Sequence, residues 1–195
     1  MNIFGAVALL VISGAGAWAG GAGQTSIREV TVCLSPGNNA AILYRAQAAA
    51  TQIFKQAGVR LVWRDRERFC LSEQNSIVVT LSLATPRGQH PGALAYALPF
   101  EGTHIVLFYD RVLTAVKPAV APYLMGHVLA HEIAHILQGI SRHSASGIMK
   151  PYWDSRDYVQ MDGGHLNFAE EDILLIRNGL DSSSQPVTAA RRSGV

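Results

Sequence analysis

Residues Ile27 to Leu34 alternate, with Val30, Val32 and Leu34 on one side and Glu29, Thr31 and Cys33 on the other. This is the period-two pattern of a strand. Pro36, Gly37, Asn38 and Asn39 break it. The period then changes. Ile42, Leu43, Ala46, Ala50, Ile53, Phe54 and Ala57 recur at intervals of three and four, predicting an amphipathic helix over residues 40–57 that Gly58 closes. Val59 to Trp63 follows as a second strand and Ser76 to Leu83, rich in β-branched residues, as a third. A loop with Pro86, Gly88, Pro91 and Gly92 leads to Ala93 to Leu98, whose ending at Pro99 suits a short edge strand. His104 to Tyr109 is nearly continuous apolar sequence and reads as a buried strand.

After Pro118 and Pro122, Tyr123 to Gly139 forms a long apolar helix, with Pro122 suited to a first turn. The last patterned element runs from Phe168 to Leu180, with Asn167 as its N-cap and Glu170 completing a capping-box arrangement. The opening strand–helix–strand order implies a parallel, right-handed crossover. Helices together with a mixed sheet make an α+β domain.

The two ends lack such patterning. An apolar run from Ile3 to Ile12, then small residues and the Ala17-Trp18-Ala19 triplet before Gly20, read as a secretory signal peptide over residues 1–19. No Lys or Arg precedes that run. The run is too short to span a bilayer comfortably, so no stable membrane span is expected once the leader is removed. Residues 181–195 carry no apolar pattern and are expected to be a disordered tail, which leaves 20–180 as the folded domain. The expected destination is secreted or periplasmic.

Composition narrows the picture further. With 195 residues, 49% of them hydrophobic and 15% charged, the chain can bury one good core. A net charge of +2, with scattered basic residues, argues against a nucleic-acid partner. The run Arg64 to Arg68 alternates in sign and reads as a solvated loop. In an oxidising compartment the only two cysteines, Cys33 and Cys70, either form one disulfide or remain as two buried thiols. No C-x-x-C or Cys/His cluster marks them as metal ligands.

The candidate chemistry lies in HEIAHILQGISRHSASGIM, from His131 to Met149. Helix positions i and i+4 share a face, so His131 and His135 can point ring nitrogens at one ion. Glu132 lies about 100° around the helix from His131, on the flank of that face. Zinc with an open coordination position lowers the pKa of bound water to about 7, and a carboxylate beside it can take the proton as the water attacks a carbonyl. An unpaired Glu132 in an otherwise apolar helix would be costly to bury.

The run resembles the metzincin zinc peptidases, whose long motif is H-E-x-x-H-x-x-G-x-x-H followed by a methionine-containing turn. The resemblance implies His131, His135 and His143 as zinc ligands, Glu132 as general base, Gly139 as the residue that turns the chain back and Met149 as the turn methionine. Ser144 and the Met149-Lys150-Pro151 sequence are similar to what matrixins carry after their third histidine. Gly92 to Pro99 looks like the matrixin edge strand that binds substrate in extended form, implying substrate contacts at Ala95 and Ala97. In this chain the intervals from His135 to Gly139 and from Gly139 to His143 are both four, one more than in the family. The helix is therefore expected to run one residue longer and the loop to bulge by one.

Other third ligands compete with His143. Glu170 and Glu171 are helical glutamates downstream, for which capping and a solvated face are sufficient reasons. His127 shares the stripe, but three histidines spanning about 12 Å of rigid helix cannot all reach one ion, so it reads as a core or supporting residue. His165, in a Gly-rich stretch, is a further candidate to reach the cleft; His90 and His104 read as loop and strand residues. Tyr152, and more distantly Tyr158, could stabilise an oxyanion or contact substrate; the alternative for Tyr152 is an aromatic packed with Trp153 under the site. The expected whole is a zincin-like α+β domain with a twisted mixed five-stranded sheet and two long helices, one carrying the motif, plus a C-terminal helix. Its expected activity is that of a secreted, monomeric zinc endopeptidase acting on peptide or protein through a Glu132-activated, zinc-bound water. The competing class is a non-catalytic zinc-binding module that binds a protein partner.

Overall fold

The computed structural model describes residues 27–65, 70, 76–98 and 103–183. Five strands among them, β1 (Arg28–Leu34), β2 (Val59–Asp65), β3 (Ile77–Ser82), β4 (Ala95–Ala97) and β5 (His104–Phe108), make one sheet in the order β2-β1-β3-β5-β4. The first four in that order run parallel, and β4 closes the edge antiparallel to β5. The sheet is therefore mixed, as expected. β1 lies between two neighbours, so Val30, Val32 and Leu34 are buried on one face while Cys33 is buried on the other. Cys33 is bonded to Cys70 with the Cα atoms 6.1 Å apart, which resolves the two readings of the cysteines in favour of a disulfide.

Among the described residues five α-helices accompany the sheet: α1 (Ala40–Phe54), α2 (Tyr109–Ala115), α3 (Ala121–Gln138), α4 (Ser155–Gly163) and α5 (Glu170–Ser183). Asn39 does more than break the preceding strand. Its Oδ1 accepts the Ala41 and Ile42 N–H groups at 3.1 and 3.2 Å, satisfying two donors at the helix start. α1 ends at Phe54, three residues before the apolar spacing does, because Lys55–Ala57 tighten into a 3-10 turn. α3 is buried almost all round, packed against α1, α2, α4, α5 and the β4–β5 edge. A helix apolar on every side belongs in the interior, and here that interior helix carries the motif.

Several expectations require correction. Asn167 does not cap the last helix, which begins at Glu170; its side-chain oxygen accepts from Gln56 Nε2 and its carbonyl from the Ile148 N–H. α5 continues to Ser183, so residues 181–183 belong to the helix rather than a tail. Arg64 and Asp65 extend β2 instead of starting a loop. Residues 66–69, the signal peptide over 1–19 and the tail from 184 onward lie outside the described residues. Two helices, α2 and α4, were not anticipated. Among the described residues no helix is long and apolar enough to cross a membrane.

Candidate metal centre and cleft

α3 delivers His131 and His135 to one place, and the turn after it delivers His143. One potential ligand nitrogen from each of the three imidazoles lies within 4.8 Å of the others. The extra residues in the spacing are absorbed as the sequence requires. α3 runs through Gln138, and Gly139 then takes the left-handed conformation, φ +67°, with its N–H on the His135 and Ile136 carbonyls. A residue with a Cβ would be strained there. The chain passes through Ile140 and returns His143 to the two helix histidines, with ring centroids 5.3 Å from His131 and 5.0 Å from His135.

The ring orientations are set by backbone. His131 Nδ1 donates to the Ile148 carbonyl at 2.9 Å and His135 Nδ1 to the Ile140 carbonyl at 3.1 Å. Since a carbonyl can only accept, each neutral ring carries its proton on Nδ1 and leaves Nε2 as a bare acceptor. The two Nε2 atoms lie 3.0 Å apart. Two buried acceptors facing each other call for a cation between them, and tetrahedral zinc at about 2.0–2.1 Å from each nitrogen places such atoms about 3.3 Å apart. The donor set therefore fits zinc. Burial and the neighbouring rings push His131 down to about 3, and burial lowers His135 and His143, so the rings are neutral near pH 7.

Met149 and Ile148 are fully buried in the turn that follows. The Ile148 carbonyl serves twice, holding His131 and accepting Trp153 Nε1–H at 3.2 Å, while Trp153 stands edge-on to His131 with centroids 5.7 Å apart. Ser144 N–H donates to the Met149 carbonyl at 2.8 Å. Its hydroxyl donates to Asp172 Oδ1 of α5 at 2.6 Å, and Arg142 Nη1 reaches the same oxygen at 3.2 Å. Asp172 is wholly buried and thus ties the His143 loop to the C-terminal helix. Sequence reasoning passed over this residue. Its signal was a charge four residues before Ile176, on the inward stripe of the helix.

Glu132 is 9% exposed, with its carboxyl pushed up to about 8 by burial, an effect the backbone N–H of Ala97 in β4 opposes. It lines a cleft of about 460 Å³ together with His131, His143, Ala95, Tyr152 and Tyr158. In β4, Leu94 O and Leu98 N–H bond to β5, so by alternation Ala95 and Ala97 turn their backbone groups outward, toward the free edge. Tyr152 lies on the cleft and is 73% exposed, which corrects the reading that packs it beneath the site; Trp153 shares the cleft lining but is partly buried against the core. Tyr158, from α4, is half-buried in the lining, and burial raises its phenol.

The remaining candidates fall elsewhere. Glu171 forms an ion pair with Arg142 instead of meeting the three rings, and Glu170 begins α5. His127 is buried, donating from Nδ1 to the Tyr123 carbonyl at 2.7 Å and accepting the Leu166 N–H on Nε2 at 3.1 Å. It is a core residue. His104 begins β5, and neither it nor His165 lines the cleft. His90, read as a loop residue, does line it.

No family model matches the chain, and no curated protein matches it by sequence. By structure it is similar to archaemetzincin from Methanopyrus kandleri: TM-score 0.52 at 14% identity, covering 81% of this chain and 97% of that one. At that identity the likeness concerns the path of the chain, and no sequence match supports the narrower matrixin resemblance. The mixed five-stranded sheet with its five helices is a zincin-like fold.

Proposed function

We propose that the chain is a zinc-dependent endopeptidase. The observation that carries this reading is the meeting of three imidazoles, two of them with Nδ1 tied to backbone carbonyls, beside a buried glutamate in a cleft bounded by a sheet edge. His131, His135 and His143 would hold the metal. When bound, zinc supplies Lewis acidity, polarising a peptide carbonyl and making water acidic near neutral pH.

The rest of the work falls to the chain's own groups. β4 turns the Ala95 backbone outward, where an extended peptide can add as a further strand. Glu132, between the metal ligands and that edge, takes a proton from the attacking water, holds it on its carboxyl and returns it to the leaving amine. Tyr152, exposed on the cleft, is placed to contact the bound peptide or its developing oxyanion. The matrixin-like reading of the loop rests on Ser144 and the Met149-Lys150-Pro151 sequence alone. Export draws support from the apolar run Ile3–Ile12 and from the Cys33–Cys70 bond, of a kind that persists in oxidising compartments.

The test is metal content of the purified protein, followed by cleavage of a mixed peptide library with and without a chelator. Stoichiometric zinc and chelator-sensitive cleavage that disappears in Glu132→Ala are expected. Tight zinc without any such cleavage overturns the peptidase reading in favour of a zinc-bearing binding module. For export, the N-terminus of protein recovered outside the cytoplasm should be Gly20; an intact Met1 there would refute removal of the leader.

A further inference from the structure

Asp110 and Arg111 lie side by side in α2, and their side chains reach back to opposite ends of the loop that precedes β4. Asp110 accepts from Thr85 twice, from the backbone N–H at 2.9 Å and from the hydroxyl at 2.7 Å. Arg111 Nη1 donates to two carbonyls, those of His90 and Ala93, both at 2.8 Å. Its guanidinium is stacked over the Phe108 ring, 5.3 Å from the centroid, which fixes its direction.

The two carbonyls are the ends of a single β-turn. Ala93 N–H donates to His90 O at 3.1 Å, Pro91 and Gly92 form the corner, and Gly92 has φ +83°. Proline followed by a left-handed glycine is the requirement of a type II turn. The turn is thus closed once by its own hydrogen bond and again by a cation bridging its ends. It also lies on the cleft, which His90, Gly92 and Ala93 line alongside Ala95 and Glu132. The next residue, Leu94, bonds through its carbonyl to Phe108 N–H at 2.8 Å, so the turn sets where β4 begins.

We propose that the Asp110–Arg111 pair is a substrate-positioning device that holds the His90–Ala93 turn as a rigid lip, so that β4 presents its outward backbone to an extended peptide beside Glu132. The inference rests on the peptidase reading for its substrate class. Arg111 acts through the turn and is a positioning residue; His90 is the lip side chain placed to touch the peptide. Without the staple, a loop carrying Pro86, Gly88, Pro91 and Gly92 has little to hold it, and a peptide would have to order the lip as it binds.

The test uses the zinc-loaded full chain and internally quenched extended peptides. Arg111→Gln is expected to raise KM about tenfold with kcat within about twofold, and Arg111→Lys, whose ammonium can donate to the carbonyls but lacks the planar group stacked on Phe108, to recover part of the loss. Zinc affinity, measured by chelator competition, should stay unchanged while amide exchange over residues 90–97 quickens in Arg111→Gln. An unmoved KM, or a loss of kcat that tracks lost zinc or a lowered Tm, overturns the proposal. To separate this from failure of the peptidase reading, the same substitution is placed in a Glu132→Ala background and binding of a fluorescent extended peptide is followed by anisotropy. Weaker binding there supports the lip even if nothing is cleaved. Equal binding overturns the lip alone, and no binding by either protein overturns both.

Discussion

Asp172, on the C-terminal helix, accepts a 2.6 Å hydrogen bond from the hydroxyl of Ser144, the residue next to His143. The third imidazole of the cluster is therefore held from a helix whose side chains never enter the cleft lining. Groups that orient metal ligands from behind typically affect affinity by about 10–100-fold when removed. Asp172→Ala should weaken zinc by that order, and it should destabilise the fold by about 2–4 kcal/mol, because Ser144 and Arg142 both lose their shared acceptor. Zinc titration against a competing chelator and urea unfolding check the two parts separately. Wild-type zinc affinity in this variant would show that the loop positions His143 unaided.

His143 itself is exposed, whereas His131 and His135 are buried. His143→Ala should accordingly leave the metal-free Tm nearly unchanged while removing most of the gain that zinc brings. For the wild-type protein, free zinc about 1,000-fold above Kd should stabilise by about 4 kcal/mol. A zinc-dependent Tm rise of the same size in His143→Ala would remove His143 from the ligand set.

Glu132 gives the metal-free protein a distinctive pH dependence. Its carboxyl rises from 4.5 to about 8 on folding, so the fold favours the neutral form. That contribution is complete below pH 4.5 and is lost as pH rises toward 8. Glu132→Gln should therefore stabilise the metal-free protein at pH 8 by a few kcal/mol and do little at pH 4. A bound cation favours the charged carboxylate and should shrink the effect. Urea midpoints of both proteins, with and without zinc, provide the check. A variant no more stable than wild type at pH 8 without metal would mean the carboxyl titrates normally.

His127 acts with the opposite sign. Burial holds it at about 4, and its two hydrogen bonds suit only the neutral ring. Depressed below 6.5, it contributes stability that is complete above pH 6.5 and lost as pH falls toward 4. In His127→Leu the slope of stability with pH over that window should flatten, and the buried Leu166 N–H loses its acceptor at a cost of about 1–3 kcal/mol. An unaltered slope would place the acid sensitivity elsewhere.

The legible parts of the sequence were those governed by local period. The five strands, α1 and α3 follow from spacing, and so does the extra residue that carries α3 through Gln138 to Gly139, whereas the reach of His143 was implied by the metzincin resemblance. α2 escaped because seven residues with only Tyr109 and Val112 buried offer no stripe, and no side chain caps its start. α4 left a fainter trace in Asp154 and Asp157, which cap each other reciprocally, yet Met161 is its only buried apolar residue. Asn167 matched a capping pattern, but its side chain is committed to Gln56 of another element. The Asp172 and Arg111 contacts cross 28 and 21 residues of chain, and no local rule pairs such partners.

The contact between the Ala97 N–H and Glu132 also bears on self-association. An unpaired sheet edge is a template on which a second copy of the chain can grow. Among the described residues this edge offers three residues, and one of its outward donors, the Ala97 N–H, faces the Glu132 carboxyl of the same molecule. A single strand passing through the cleft can still find Ala95, and among the described residues of β4 a second copy finds only a short template. The same glutamate that lines the cleft thus also faces the open end of the sheet.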